Sequence, residues 1–169
     1  MHEARSLTLP AAAALGPIAL GAVIGAKVSP MVALREAALV PAIVIGLTVA
    51  TVPALYIATV ATGSRLTIGQ LARAVVRGLE GLGIVLLGLA GPLAFLVATT
   101  AYPKLGVLLG AVALAVAAGL GMRRMRAAMV ESDAVPRAAS LIDAGLFLIW
   151  GSVAAVLGAR LFLDLMVIQ

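Results

Sequence analysis

Residues 81–122, GLGIVLLGLAGPLAFLVATTAYPKLGVLLGAVALAVAAGLGM, decide the fold class of this chain. They contain two apolar runs, 81–101 and 105–122, separated only by residues 102–104. At a rise of about 1.5 Å per residue, each run has the length that a helix needs to cross a hydrocarbon layer of roughly 30 Å. A link this short makes two such helices antiparallel neighbours. The stretch therefore predicts a transmembrane helical hairpin.

The rest of the chain repeats the pattern of long apolar runs between short charged gaps. Its mean hydropathy is +1.20, and only 11% of its residues are charged, against about 25% in a soluble domain. We predict an all-α fold: a polytopic helical membrane bundle of five transmembrane helices plus one interfacial amphipathic helix, in a single domain over residues 1–169. The predicted spans are residues 9–26, 37–61, 81–101, 105–122 and 141–162.

The first run also has some features of a cleavable signal peptide. Arg5 supplies a basic start, and an alanine-rich apolar stretch follows it. However, the run exceeds the usual length of about 7–15 residues, and Ile24 is a poor match to the small residue required before a cut after Ala26. For these two reasons we expect the run to be retained; cleavage would leave four spans.

Composition excludes several kinds of site. The chain has no cysteine and a single histidine, His2, so disulfides, zinc sites, iron–sulfur clusters and paired histidine ligation of haem are ruled out. We predict no metal and no cofactor. The net charge of +5 is typical of arginines that face anionic lipid headgroups, and we expect membrane lipids rather than nucleic acid as partners.

The distribution of Lys and Arg predicts the orientation. In a five-span chain, the side with the N-terminus holds eight of these residues and the opposite side holds four. The eight are Arg5, Arg65, Arg73, Arg77, Arg123, Arg124, Arg126 and Arg137, and the four are Lys27, Arg35, Lys104 and Arg160. The positive-inside rule then places the N-terminus, residues 62–80 and residues 122–138 in the cytoplasm and Gln169 outside.

Residues 67–80 predict an amphipathic helix in the cytoplasmic interface that leads into the third span. Thr67 followed by Gln70 matches a capping box. Arg73, Arg77 and Glu80 share one face. The opposite face is apolar and is expected to sink below the headgroups; it consists of Ile68, Leu71, Ala72, Val75 and Leu79. The helix is either a connector that lies on the membrane surface or a docking surface for a partner.

Arg73 and Arg77, with the cluster Arg123, Arg124 and Arg126 after the fourth span, are the candidate residues for contact with lipid or a protein partner. A cluster of this kind either fixes the topology alone or also recognises an anionic headgroup.

Two small-residue motifs are candidate helix-packing sites. Gly21 and Gly25 in the first span, and Gly106 and Gly110 in the fourth, form GxxxG pairs. Such pairs allow the backbones of two helices to approach closely. They predict either packing inside the bundle or contact with a protein partner or a second copy of the chain.

Charges and kinks near the membrane provide the remaining candidates. Asp143, at the start of the fifth span, is our candidate for a functional charge, while Arg160 and Asp164 are four apart and are expected to pair on one face. Prolines interrupt the helices of three spans, at Pro17, at Pro41 and Pro53, and at Pro92, as in transporters with broken helices. A transporter would use six threonines as its polar lining: Thr48, Thr51, Thr59, Thr62, Thr99 and Thr100.

The segments PALY (53–56), GSRL (63–66) and AGP (90–92), with Gln70 and Tyr102, resemble a group of small bacterial membrane proteins that have no established activity. The resemblance covers about residues 35–125 and returns weakly around 150–160. It implies a multi-pass protein of the bacterial cytoplasmic (inner) membrane, but no reaction. The arginine-proline-phenylalanine ending of that group is missing here. The five-span layout is also similar to the topology of the Yip family of membrane-trafficking proteins.

From these patterns we expect a non-catalytic integral membrane component, which is a scaffold, an anchor or an accessory subunit of an assembly. The alternative is a small transporter or channel. An enzyme ranks third, because no pair of titratable side chains suited to acid–base chemistry lies at membrane depth in the sequence. We therefore predict no catalytic residues.

Overall fold

The structure, a computed structural model, describes residues 3–61, 66–131 and 140–167. Over these ranges the chain is 94% helical and contains no strand. This confirms the predicted all-α class. The helices are α1 (Glu3–Ala26), α2 (Pro30–Ala61), α3 (Ile68–Thr99), α4 (Pro103–Glu131) and α5 (Ser140–Val167).

Three of the described helices are long and apolar enough to cross a membrane. They are α2, α3 and, from Leu105 onwards, α4. The other two contribute shorter apolar stretches, Ala11–Ala26 in α1 and Phe147–Phe162 in α5. The predicted hairpin is present, because only residues 100–102 separate α3 from α4.

Two helices begin where side chains cap their first turn. At α3, the Thr67 hydroxyl accepts from the Gln70 amide at 3.3 Å, and the Gln70 side chain accepts from the Thr67 amide at 2.8 Å. The predicted capping box is therefore confirmed. At α2, Ser29 Oγ accepts from the Val32 amide at 3.2 Å and Pro30 occupies the first helical position, where proline is favoured. The helix thus starts seven residues before the predicted span.

The helices are longer than the predicted spans. We predicted an amphipathic helix over 67–80 that leads into a span over 81–101, and α3 contains both parts in one continuous helix of 32 residues. No proline or cap lies between the two parts. Likewise α4 continues beyond residue 122 to Glu131. The prolines inside α2 and α3 do not divide these helices.

The five helices form a closed ring in the order α2, α1, α3, α4, α5 and back to α2. The hairpin helices pack on each other, α1 lies between α2 and α3, and α5 closes the ring through smaller contacts with α4 and α2. Lys27, in the turn between α1 and α2, links this turn to the C-terminal end of α3. Its Nζ donates to the Val97 carbonyl at 3.0 Å and also to the Thr100 carbonyl, where a cation complements the helix C-terminus.

Buried side chains form two cores. The first core joins α1 to its neighbours and contains Leu20, Ile24, Val40, Leu82, Leu86, Leu93, Ala113, Ala117 and Phe162. The second core joins the end of α2 to the start of α3, the end of α4 and α5, and contains Leu55, Leu66, Leu71, Ala74, Met125, Met129 and Phe147.

Candidate functional site

Helices α3 and α4 are longer than the hydrocarbon core of a bilayer is thick, and their excess length lies at the end away from their hairpin turn. Measured from Pro103, a rise of about 1.5 Å per residue reaches roughly 30 Å near Met122. Measured back from Thr99, the same length ends near Glu80. Residues 68–79 of α3 and 123–131 of α4 lie beyond these points, and we call this pair of segments the α3–α4 extension.

The two segments of the extension pack against each other. Leu71, fully buried, and Ala74 belong to the second core together with Met125 and Met129 of α4. A Cβ on Gly78 would lie 3.0 Å from Met125 Cβ. The expectation that Leu71 sinks below the lipid headgroups is therefore wrong, because α4 covers this part of the apolar face.

The extension carries all five candidate arginines, which we call the arginine collar: Arg73, Arg77, Arg123, Arg124 and Arg126. Every one of these side chains is exposed. From the hairpin turn their Cα atoms lie about 30 to 39 Å along the helices, which is the depth of a headgroup layer beside a hydrocarbon core of roughly 30 Å. Residues that lie 54 positions apart, such as Arg77 and Glu131, thus reach one end of the bundle.

Two contacts position members of the collar. Arg77 Nη1 lies 3.1 Å from Glu131 Oε2, and both side chains are more than half exposed, so this salt bridge contributes at most about 1 kcal/mol. The aliphatic part of Arg124 crosses α3 at Gly81, where an added Cβ would lie 2.6 Å from Arg124 Cδ. The absence of a side chain at Gly81 makes room for that arginine.

The candidate packing glycines Gly21, Gly25, Gly106 and Gly110 are all buried inside the chain. An added Cβ would lie 2.1 Å from the Glu36 carbonyl oxygen at Gly21 and 2.3 Å from Ile24 Cδ1 at Gly110. Both GxxxG pairs therefore pack against other helices of the same chain. Of the two predicted roles, packing inside the bundle is the one the structure shows.

Those of the remaining candidates that the structure describes do not come together in one site. Asp143 lies in the first turn of α5, and its side chain is outside the described part of the structure, as is the whole of Thr62. Arg160 Nε and Asp164 Oδ2 form the expected pair at 3.7 Å. Thr48 and Thr51 lie together on α2, whereas Thr99 is exposed at the far end of α3.

Sequence reasoning missed a buried carboxyl group. Glu36 is 2% exposed and lies in α2 where its backbone meets Gly21 of α1. In the sequence it follows Arg35 directly before the predicted second span, as a charge that flanks that span does. The early start of α2 at Pro30 places residue 36 inside the helix, where α1 packs closely against it at Gly21. Within the described ranges, no three His, Cys, Asp or Glu side chains are grouped as a metal site requires.

Sequence reasoning also missed a cavity between the two cores. It has a volume of about 170 Å³ and is lined by side chains from α2, α3, α4 and α5. Leu82 and Phe162 of the first core and Met125 of the second core form parts of its wall. Small residues create the space: Gly78, Gly121, Gly158 and six alanines are among the lining residues.

A hydrogen bond joins two helices at the cavity wall. Trp150 Nε1 of α5 donates to the Thr51 carbonyl of α2 at 3.1 Å, and both residues line the cavity. Pro53 lies two residues further along α2. The single tryptophan and Pro53 are the sequence signals that mark this part of the cavity wall. No local pattern, however, connects Trp150 with a residue as distant in the sequence as Thr51.

No protein-family model, curated protein or solved structure matches this chain. The resemblance based on the PALY and GSRL segments remains a prediction, as does the likeness to the Yip topology.

Proposed function

We propose that this chain is a non-catalytic integral membrane component that spans the bacterial cytoplasmic membrane five times. Its N-terminus and the α3–α4 extension lie in the cytoplasm and its C-terminus lies outside. The arginine collar binds anionic headgroups, which holds the extension at the membrane surface. The protein acts there as an anchor or accessory subunit, and the extension is the surface that it offers to a cytoplasmic partner.

The observation that carries this proposal is the position of the arginine collar along the helices. Five exposed arginines from two helices lie at one end of the bundle, at the depth of headgroups when the hairpin turn is at the opposite interface. Each arginine near an anionic surface contributes about 1 kcal/mol. The same distribution of charge supports the cytoplasmic orientation.

The location of the partner surface follows from packing. Because both GxxxG pairs are buried inside the chain, the small-residue faces are not offered to a partner. The extension combines exposed arginines with the exposed apolar residues Ile68 and Val76, a mixture that suits a protein contact at the membrane surface.

The experiment compares two pairs of exposed arginines, each replaced by glutamine. Arg123→Gln with Arg126→Gln removes charge from the collar, while Arg35→Gln with Arg160→Gln removes the same charge elsewhere. The proteins are purified in mild detergent, and retained lipids are identified by native mass spectrometry. Loss of about 2 kcal/mol predicts roughly 30-fold weaker retention of anionic lipid for the collar pair. Equal retention by the two pairs would contradict the proposal.

A further inference from the structure

The cavity between the two cores opens sideways toward the lipid. Three lining alanines are also exposed at the molecular surface: Ala115 of α4, and Ala155 and Ala159 of α5. The lining residues contributed by α2 and α3 are buried or half-buried. These exposed alanines place the opening between α4 and α5, which make only small contacts with each other, as α5 and α2 also do.

The chemistry of the wall selects hydrocarbon. Its hydroxyl groups are satisfied within their own helix: Thr48 Oγ1 donates to the Val44 carbonyl at 2.7 Å, and Thr51 Oγ1 to the Leu47 carbonyl at 2.8 Å. The Trp150 indole N–H is used by the Thr51 carbonyl. A polar ligand would lose its hydrogen bonds to water there without gaining others, whereas an apolar chain would gain contacts with every side of the cavity.

The size and direction of the cavity fit part of one acyl chain. An apolar cavity of about 150 Å³ takes up a benzene-sized ligand, so about 170 Å³ accommodates a segment of a chain. On α4 the wall runs from Ala111 to Met125, about 21 Å along the helix. The space is thus elongated along the helices, in the direction of the surrounding lipid chains.

One end of the cavity lies at the level of the arginine collar. Met125, in the wall, stands between Arg124 and Arg126 in α4. Val75, in the wall of α3, stands between Arg73 and Arg77. A lipid from the leaflet on this side would therefore have its phosphate beside the arginines when its chain lies in the opening. The complementary charge favours an anionic headgroup.

We infer that the cavity is a binding site for one acyl chain of an anionic phospholipid, which enters between α4 and α5 with its headgroup at the arginine collar. The headgroup part of this inference rests on the proposed function. The chain part rests on the cavity alone. The occupied cavity replaces a void between the two cores with packed hydrocarbon, so the lipid is a structural ligand of the fold.

Trp150 provides a direct test, because it is the only tryptophan of the chain and lies in the wall. The full-length protein is reconstituted into vesicles in which a minor fraction of the phospholipid carries brominated chains, which quench indole fluorescence at close contact. Anionic and zwitterionic brominated lipids are compared. We expect stronger quenching by the anionic lipid at the same fraction.

Ala155→Phe fills the opening, and Val156→Phe introduces the same aromatic side chain at the next position, which is 67% exposed and does not line the cavity. We expect Ala155→Phe to remove at least half of the quenching and Val156→Phe to retain it. Ala115→Phe blocks the opening from α4 and is used where Ala155→Phe does not accumulate. Native mass spectrometry of the unmodified protein is expected to show one tightly retained anionic phospholipid.

The possible results test the acyl-chain site in the cavity and the headgroup site at the collar separately. Quenching that both filling variants leave unchanged would overturn the inference, even if the collar pair Arg123→Gln with Arg126→Gln abolishes the preference for anionic lipid. Quenching that the filling variants remove supports the chain site. If the preference for anionic lipid then survives in the collar pair, the arginine part of the proposal is overturned and the chain site stands.

Discussion

The glycines of this bundle differ in which atoms an added side chain would contact. At Gly83 an added Cβ would lie 1.9 Å from the Ala12 carbonyl oxygen, which is backbone and cannot turn away. At Gly110 the nearest atom is Ile24 Cδ1, the flexible end of a side chain. The close approach of α1 to α3 thus depends on Gly83, together with Gly16 on the facing helix. A GxxxG spacing does not identify these two positions.

We predict that Gly83→Ala is strongly destabilising. The new methyl group forces the backbones of α1 and α3 apart, and overpacking of this kind typically costs about 1–3 kcal/mol or more. Gly88→Ala is the matched control in the same helix, because nothing lies within 4 Å of its added Cβ, and alanine is the better helix former there. Thermal unfolding in detergent measures both. Similar melting temperatures would show that α1 does not pack on α3 at this point.

At the scale of elements, α3 shows how a surface segment becomes part of the core. The sequence of residues 67–80 has a polar and an apolar face, a pattern typical of a helix on a membrane surface. In the structure the same helix runs on into the hairpin without a break. Because α4 is also extended, to Glu131, the apolar face near Leu71 has a protein partner.

Two apolar residues of this segment give a test. Leu71 is fully buried in the second core, whereas Ile68 is 67% exposed. We predict that Leu71→Ala lowers the free energy of unfolding by about 2–5 kcal/mol, as in other cores, and that Ile68→Ala changes it by less than about 1 kcal/mol. Thermal unfolding in lipid-containing detergent is the measurement. If both variants lose the same stability, the segment lies on lipid and the extension is not a packed pair.

At the scale of the whole molecule, the ring order brings distant parts of the chain to the same end. The turn at Lys27 meets the end of α3, while the start of α3 meets the end of α4 through Arg77 and Glu131. These contacts define two opposite ends of the bundle. Val28 and Tyr102 thus lie at one end and Glu131 at the other.

We predict the sidedness of three single cysteines introduced into this cysteine-free chain. Val28→Cys and Tyr102→Cys replace residues that are 68% and 75% exposed, and a membrane-impermeant maleimide should label both from outside intact cells. Glu131→Cys should be labelled only after the cells are opened. Labelling of Glu131→Cys in intact cells would reverse the orientation, and labelling of Tyr102→Cys but not Val28→Cys would show that α1 does not cross.

The sequence by itself determined the features that depend on neighbouring residues. The hairpin follows from two apolar runs joined by residues 102–104, and the start of α3 follows from the Thr67 and Gln70 side chains, whose capping contacts span a single turn. The arginines that belong to one side follow from counting charges between apolar runs. Hydropathy, capping and charge are all local properties, so the printed sequence contains them.

Only the tertiary structure decided which faces meet. Apolar side chains of similar composition can face lipid or another helix, and hydropathy is the same in both cases. No local sequence pattern therefore predicts that Leu71 and Met125 share a core, that Gly16 approaches Gly83, or that Trp150 bonds to Thr51. The cavity is a property of the gap between four helices, so it exists only once residues from Ile43 to Phe162 have been brought around the same space.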